Sequence, residues 1–267
     1  MMKISRKLFG WRLPLSLIVG LTFGALVCAP ASAKEPQNAG QAKAADAKSG
    51  GLVPLILDLP APAFKGTPKD LLVPNVEPLS DKPRPPMMVP AGLKNVALGA
   101  KATCSDKNAS ADVLAKVTDG NKDASDDSIM FLRKGVQWLQ LDLGKVYETF
   151  AIVIWHAHNT SKVYHDVIVQ SADDPDFIQN VQTIFNNDQS NTAGLGVGTD
   201  REYFETNEGK LIATKGLKAR YFRFYSKGST ESNMNEYTEI EIYGRVPAAA
   251  AAAPKPVLHA AASPRAE

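Results

Sequence analysis

Hydrophobic and polar residues alternate from Val136 to Gly144, and after a short turn a second apolar run extends from Phe150 to Trp155. In an extended chain, successive side chains point to opposite faces. One face of the first run therefore carries Val136, Trp138, Gln140 and Asp142, and the other carries Gln137, Leu139, Leu141 and Leu143. This pattern predicts a strand near the centre of a β domain, ending at Gly144.

Similar short segments recur through a region of about 150 residues, a length that suits a single domain. No segment keeps helical periodicity for three turns, and turn-forming residues separate the runs. The predicted strands are Val136–Leu143, Thr149–Trp155, His165–Ser171, Val181–Phe185, Arg201–Glu205, Ala219–Ser226 and Tyr237–Tyr243. The prediction is an all-β fold, an antiparallel β-sandwich or jelly roll, over residues 95–245.

Residues 1–33 have the three parts of a secretory signal peptide. Basic residues precede an apolar core from Leu13 to Val27, and Ala31-Ser32-Ala33 supplies a small-residue cleavage site. The apolar core is shorter than the roughly 20 residues of a membrane-spanning helix, so we predict cleavage and no transmembrane anchor. Lipidation at Cys28 is another alternative, although Val27 precedes it where a small residue is preferred. The expected location is secreted or periplasmic.

Composition predicts little regular structure on either side of the domain. Residues 34–50 are rich in Ala, Lys, Gln and Gly and are predicted to be a disordered linker, and the Ala/Pro-rich tail, 246–267, has no core-forming pattern. Residues 51–94 contain ten prolines, which exclude a long helix or a central strand and predict an extended arm. The apolar pieces of this arm either pack on the domain or bind a partner, and packing is favoured.

Charge and cysteine content exclude two classes of protein. The formal charge of +2 becomes −2 without residues 1–33, because that segment holds four basic residues and no acidic ones. A chain near neutrality with no Arg/Lys-rich stripe has no electrostatic footprint for nucleic acid. Loss of Cys28 with the signal peptide leaves Cys104 alone, so the fold is not expected to rest on a disulfide within the chain.

Five motifs follow one another in a recognisable order: Asn95–Gly99, Val117–Asn121, Trp138–Gly144, Asp166–Ser171 with Asp173, Asp174 and Phe177, and Glu239–Gly244. Together they resemble the discoidin domain, also called the coagulation factor 5/8 type C domain, whose bacterial relatives include carbohydrate-binding module family 32. The resemblance covers residues 95–244, more than half of the chain. It implies a galactose-binding-domain-like β-sandwich.

The resemblance also implies a structural calcium ion. On the residues alone, Asp119-Gly120-Asn121 is a solvated turn, although calcium does prefer six to eight oxygen ligands and further oxygen donors follow this turn. Related domains often hold calcium with this loop and a Glu near the last strand. The corresponding positions here are Asp119, backbone oxygens around Lys116 and Asn121, Ser125 and Glu239. The spacing is not that of an EF-hand calcium sensor.

Sugar-binding relatives line their site with three loops, which here are 156–162, 128–133 and 228–235. Sugars present hydroxyl groups in fixed directions and apolar C–H faces, so planar polar side chains beside an apolar platform suit them. The candidate ligand residues are Met130, Phe131, Arg133, His156, His158, Asn159, Lys162, Asn233 and Met234. The sequence departs from the sugar-binding pattern, since the first loop has no Arg followed by Asn and the second has no tryptophan.

Three of the four histidines lie within ten residues: His156, His158 and His165. His156 and His158 would point the same way from an extended segment, as two zinc ligands do. A zinc-dependent hydrolase is nevertheless the weakest alternative, because the cluster lacks a third ligand at a motif spacing and a paired general base. Imidazoles hydrogen-bonded within a loop account for the cluster as well as ligand contacts do.

The sequence therefore predicts an exported, non-catalytic module that binds a glycan or another cell-surface polymer through loops at one end of the sandwich. No arrangement of nucleophile, base and orienting acid is apparent, so no enzymatic activity is expected. The alternative is an envelope interaction or scaffold protein, in which the arm and loops bind another protein.

Overall fold

The computed structural model describes residues 51–64, 73–80 and 82–248. The predicted signal peptide, the predicted linker and most of the predicted tail lie outside these residues. The strands are β1 Leu52–Pro54, β2 Met88–Pro90, β3 Lys94–Asn95, β4 Lys101–Cys104, β5 Met130–Leu132, β6 Gln137–His156, β7 Ile168–Ala172, β8 Gln182–Asn186, β9 Lys210–Ser226 and β10 Asn235–Arg245. One short helix, α1 Ala111–Ala115, leads into a 3₁₀ turn, and no helix among the described residues is long and apolar enough to span a membrane.

Strand β6 is 20 residues long and lies inside one eight-stranded sheet, of order β3-β10-β6-β9-β7-β8, which folds over into the two layers of the sandwich. Its first half pairs with β4 and the end of β9, and its second half pairs with β10 and the start of β9. The register with β9 shifts between Asp142 and Tyr147 and again between Thr149 and Ala151, which bends the strand from one layer into the other. The named strands all pair antiparallel. The predicted all-β sandwich is confirmed.

The core lies between these layers, and the register shifts decide which side chains enter it. Before the shifts, odd-numbered β6 residues face inward, among them Leu139 and Leu141; after them, even-numbered residues do so, among them Ile152 and Ile154. Aromatic residues of β9 and isoleucines of β10 complete the cluster. Each fully buried large apolar side chain contributes about 1.5–3 kcal/mol relative to an exposed one, so this cluster holds the layers together.

The outer face of β6 carries the polar members of the alternating run. Trp138 is half-buried under Arg223, whose guanidinium carbon lies 4.5 Å from the centroid of the indole ring. Asp142 accepts the backbone N–H of Gly144 at 2.8 Å and hydrogen bonds from Arg220 at 2.7 and 2.9 Å. Asp142 therefore supports the turn at the end of the run, and Trp138 stacks at the sheet surface and not in the core.

The described part of the Pro-rich arm packs against the domain. Strands β1 and β2 form a two-stranded ribbon within it. Arg84 donates from its two Nη atoms to the carbonyl oxygens of Gly209 at 2.7 Å and Glu208 at 2.8 Å. Asn207 donates from Nδ2 to the carbonyl oxygen of Pro60 at 2.9 Å. These contacts give the arrangement that the sequence favours for this segment.

Candidate functional site

An open cleft of about 410 Å³ lies where the loop after β4, helix α1 and strand β5 meet. We call it the Phe131 cleft. Its lining includes Asp106, Asn108, Lys116, Phe131, Arg133 and Met234. It therefore combines an aromatic ring with charged and amide side chains, the mixture that small-molecule sites use to bind and orient a ligand.

Strand β5 presents Phe131 to the cleft because its neighbours face inward. Met130 and Leu132 are fully buried, whereas Phe131 is 45% exposed. β5 pairs with β10, where Phe131 lies opposite Glu236. Since side chains alternate along a strand, burial of the two neighbours places Phe131 on the outer side. The cleft thereby gains an apolar surface that a ligand can cover.

Arg133 is held at the edge of the cleft by Asp106. The carboxylate accepts Nε of Arg133 at 2.8 Å, the backbone N–H of Arg133 at 2.8 Å and the backbone N–H of Asn108 at 3.0 Å. The Asp106 side chain is only 4% exposed, while that of Arg133 is 55% exposed. The hydrogen bond from Asn108 and those from Arg133 lower the pKa of Asp106, so its charge is kept in neutral solution.

The cleft includes residues that no sequence motif marked. Asp106, Asn108 and the side chain of Lys116 lie in the loop after β4 and in the turn after α1. The one local signal is the Asp-x-Asn spacing of a turn, in which the Asp106 side chain accepts the N–H two residues later. Cys104, the last residue of β4, donates from Sγ to the carbonyl oxygen of Asp106 at 3.2 Å. The thiol therefore lies directly behind this side of the cleft.

The structure brings some of the predicted ligand residues together and separates others. Three line the Phe131 cleft: Phe131, Arg133 and Met234. Two are exposed but outside its lining: Asn159 and Asn233. Four are buried: Met130, His156, His158 and Lys162. Loops 128–133 and 228–235 therefore contribute side chains to the cleft, whereas the histidines of loop 156–162 face the interior.

His156 is part of the interior. Its ring is fully buried and stacks on Tyr164, with 4.2 Å between the ring centroids, while the Tyr237 ring lies 4.6 Å away. Its Nδ1 lies 3.1 Å from Oε2 of Glu205, which is also fully buried. Its Nε2 has no hydrogen-bond partner among the described residues. The ring thus makes aromatic and carboxylate contacts inside the fold.

His158 and Lys162 also make internal contacts. Nε2 of His158 lies 2.9 Å from the carbonyl oxygen of Lys122, and Nζ of Lys162 donates to Oε2 of Glu236 at 3.0 Å. Nδ1 of His158, like Nε2 of His156, has no hydrogen-bond partner in the described structure. Across residues 51–64, 73–80 and 82–248, no three His, Cys, Asp or Glu side chains group as potential metal ligands.

The loop predicted to bind calcium lies against a buried glutamate. Glu239 is fully buried; its Oε2 accepts the backbone N–H of Gly120 at 3.2 Å, and its Oε1 has no partner in the described structure. Burial raises the pKa of Glu239 to about 8, and the charge of Asp119 adds to the rise. A buried carboxylate oxygen without a donor suits a cation, since burial of an unpaired charge is costly.

The other residues of the predicted calcium set differ in their contacts. Oδ1 of Asp119 accepts the backbone N–H of Asn121 at 2.8 Å, which places both residues beside Gly120. The hydroxyl of Ser125 lies 2.8 Å from that of Ser128, and Nζ of Lys116 donates to a backbone carbonyl farther along the loop. The set therefore offers two carboxylates, with hydroxyl and backbone oxygens as the remaining donors.

The comparisons with known proteins give information about the fold only. No protein-family profile matches the chain, and no curated protein matches it. Among solved structures it is similar to chitosan-binding module 1 of a chitosanase/glucanase from Paenibacillus sp. IK-5, at 19% identity over 57% of this chain and 99% of that one, with a TM-score of 0.39. It is also similar to a fucose-binding module of Streptococcus pneumoniae, at 18% identity over 57% and 98%, with a TM-score of 0.38.

A third similar structure is the family 32 carbohydrate-binding module of AlyQ in complex with 4,5-unsaturated mannuronic acid, at 18% identity over 53% of this chain and 92% of that one, with a TM-score of 0.37. The chain spans 31% of a truncated AlyQ that has this module and alginate lyase domains. One of these similar structures is thus a module of carbohydrate-binding module family 32, which the sequence resembles. Likeness at this identity concerns the fold and assigns no ligand.

Proposed function

We propose that this protein is an exported, non-catalytic module that binds a glycan or another cell-surface polymer in the Phe131 cleft. The observation that carries the proposal is an exposed aromatic ring beside an arginine whose position is fixed, in one open concavity. Sugar rings present apolar C–H faces, which pack on an aromatic ring, and hydroxyl groups, which need directed hydrogen bonds. The cleft supplies both kinds of contact.

The test is calorimetric titration of the wild type and Phe131→Ala against a broad glycan panel. We expect the substitution to weaken binding by about tenfold or more, which corresponds to about 1.4 kcal/mol. Val146→Ala is the matched control, because Val146 is likewise 45% exposed but lies in the turn within β6, outside the cleft lining. Absence of binding to every glycan, or equal losses in both variants, would remove the proposal.

A protein partner is the second candidate, favoured by the arm. Its ribbon and the residues after it expose large apolar side chains: Leu52 at 62%, Ile56 at 78% and Met88 at 51%. Apolar groups clustered on a surface are typical of protein-binding sites. Envelope proteins captured by the full chain but not by a chain lacking residues 51–90 would support a scaffold role. Glycan binding that survives the same deletion would assign function to the cleft instead.

We also propose that the loop beside Glu239 binds a structural calcium ion. The residues that would hold it are Asp119, Ser125 and Glu239, with backbone oxygens around Lys116 and Asn121. A bound cation would supply the positive charge that the buried carboxylate of Glu239 lacks. The ion would act on stability and loop position and not on chemistry.

Thermal unfolding with calcium and with chelator tests this site. Calcium at about 100 times its dissociation constant stabilises a protein by about 2.7 kcal/mol, which raises the melting temperature by roughly 5–10 °C for a chain of this size. We expect this rise in the wild type and in Glu148→Gln, a carboxylate paired with Arg245 elsewhere in the fold. The rise should be absent in Glu239→Gln. No calcium effect on the wild type would refute the site.

A further inference from the structure

Arg133 reaches the Phe131 cleft with only part of its guanidinium group occupied. Its Nε donates to Oδ1 of Asp106 at 2.8 Å. Within the described part of the chain, neither Nη atom has an acceptor, and the side chain is 55% exposed at the edge of the cleft. A guanidinium group carries five N–H donors in one plane, so four of them are available to a ligand.

The backbone N–H and carbonyl groups of Arg133 are also held by hydrogen bonds. The N–H of Arg133 donates to Oδ2 of Asp106 at 2.8 Å, and its carbonyl oxygen accepts Nδ2 of Asn235 at 2.8 Å. Asn235 is fully buried and also accepts the backbone N–H of Gly228 at 2.9 Å. A charged group held in this way loses little conformational freedom when it binds a ligand.

The unoccupied cationic N–H groups around the cleft favour an anion. The Asp106 carboxylate is buried and already accepts three N–H groups, so it presents no free oxygen edge to a ligand. Nζ of Lys116 donates to the backbone carbonyl of Asp127 and has no carboxylate partner among the described residues. Asp126 is the one other acidic residue of the lining and is exposed to solvent. The lining thus holds two cations and two carboxylates, but Asp106 is already paired with Arg133 and Asp126 is hydrated, so the free N–H groups of Arg133 and the ammonium group of Lys116 are what the cleft offers to an anion.

We propose that the ligand of the Phe131 cleft is an acidic glycan that contains uronic acid residues; this rests on the proposed glycan-binding function. The carboxylate of the sugar accepts two parallel hydrogen bonds from the Nη atoms of Arg133, and the apolar face of the sugar ring packs on Phe131. Carboxylate and guanidinium match in planarity and spacing, which makes such a pair both directional and strong. Lys116 adds attraction at longer range.

The experiment compares uronic acid oligosaccharides with their methyl esters. Oligogalacturonate, oligomannuronate and oligoglucuronate are titrated in acid and esterified form, which differ in charge but keep the ring and its hydroxyl groups. We expect the wild type to prefer at least one acid over its ester by about tenfold, the difference for one charge-assisted pair. Equal affinity for each acid and its ester would overturn the inference, as would stronger binding of a sulfated galactan oligosaccharide.

Variants then assign the preference to Arg133. Arg133→Gln should lose the preference for the acid while still binding the ester, and Arg133→Lys should recover only part of it because a lysine cannot form two parallel bonds. Arg245→Gln is the matched control: this arginine is 46% exposed and paired through Nε with Glu148, as Arg133 is with Asp106. A preference that survives in Arg133→Gln would refute the assignment. If that variant does not fold, the Lys variant decides.

The result also separates this inference from the function on which it rests. Binding of neutral glycans that is lost in Phe131→Ala, without preference for an acid, would preserve the proposed function and refute the acidic ligand. Absence of binding to any glycan, acidic or neutral, would refute both. A preference that disappears at high salt in the wild type and is absent in Arg133→Gln supports the ion pair, since screening weakens exposed charge pairs.

Discussion

His165 lies at the junction of the arm and the domain. Its Nδ1 is 2.7 Å from Oε1 of Glu202, and the carbonyl oxygen of Glu202 accepts the N–H of Glu77 from the arm at 2.7 Å. The hydrogen bond with Glu202 raises the pKa of His165 above its ordinary value. Asp166 acts in the same direction, while partial burial and Lys227 oppose the rise. The charged imidazole is therefore favoured in the folded protein.

A histidine with a raised pKa stabilises the folded state fully below the pKa of the unfolded chain, about 6.5, and ceases to do so as pH rises through the folded pKa. We therefore expect His165→Gln to lower the free energy of unfolding more at about pH 6 than at about pH 9. Urea unfolding at both pH values measures the difference. The companion variant Glu202→Gln should lose the same pH-dependent part. A loss equal at both pH values would contradict the ion pair.

Residue type and loop position predicted part of the cleft and not the rest. Phe131 and Arg133 stand in a loop expected at the binding end, and their chemistry suits a ligand. His156 and His158 have equally suitable chemistry, but β6 continues through His156 and long-range contacts enclose both rings. A sequence does not show which side chains distant segments will cover. Asp106 escaped notice for the same reason, since its partner Arg133 is 27 residues away.

At the scale of elements, Arg84 connects the arm to the turn before β9. Its two Nη atoms donate to adjacent backbone carbonyls, and its side chain is 27% exposed. Gly209, which supplies one carbonyl, has a positive φ of 61°, and a Cβ there would lie 2.8 Å from the Trp155 ring. Only glycine allows this turn to approach the indole so closely. The Gly209 carbonyl that accepts the hydrogen bond from Arg84 is thus positioned by a turn that packs closely on Trp155.

Removal of this contact should loosen the arm without unfolding the domain. A hydrogen bond from a charged donor contributes about 1.5–3 kcal/mol, and Arg84 makes two of them, so Arg84→Ala should increase the open population of the arm by roughly a hundredfold or more. Hydrogen exchange read by mass spectrometry on peptides from 51–64 and 82–90 measures this. Arg245→Ala, at an exposed arginine of the domain, is the control. Unchanged exchange in Arg84→Ala would show that other contacts dock the arm.

The alternation of apolar and polar residues predicted that most of the strands exist, but it predicted less well where they begin and end. The runs 136–143 and 149–155 were expected as two strands, but β6 is continuous because bulges absorb the turn at Gly144. The predicted strand Arg201–Glu205 makes only isolated bridges, through Glu202 and Phe204. The first half of β9 was not predicted, since its polar residues and Gly216 mask the alternation. Tertiary pairing overrides weak local preference in each case.

For the whole molecule, the short alternating segments separated by turns were enough to predict an antiparallel sandwich, because strand spacing and core alternation are local properties of the sequence. The packing of the arm on the domain was harder to predict from the sequence. A Pro-rich segment has the same composition whether it is free or docked, and its docking depends on contacts such as that of Arg84 with a carbonyl 125 residues later. The ligand could not be predicted from the sequence for a similar reason, since the cleft is formed by loops that are far apart in the sequence.

Cys104 gives this protein a chemical reporter of its own. The thiol is half-buried, forms no disulfide within the described residues, and lies behind Asp106, to whose carbonyl oxygen it donates. Burial raises its pKa, so it should react slowly with thiol reagents until the loop after β4 opens. A ligand that binds only the closed cleft at about 100 times its dissociation constant should slow that reaction by up to about a hundredfold.

This protection makes the native cysteine a screening assay for an unknown ligand. Candidate polymers can be ranked by the time course of a colorimetric thiol reaction, with Cys28→Ser introduced wherever the first segment is retained. Cys104→Ser supplies the blank, and urea supplies the fully reactive limit. Because the readout depends on closure of the loop and not on the chemistry of the ligand, it reports a neutral glycan, an acidic one or a protein on the same scale.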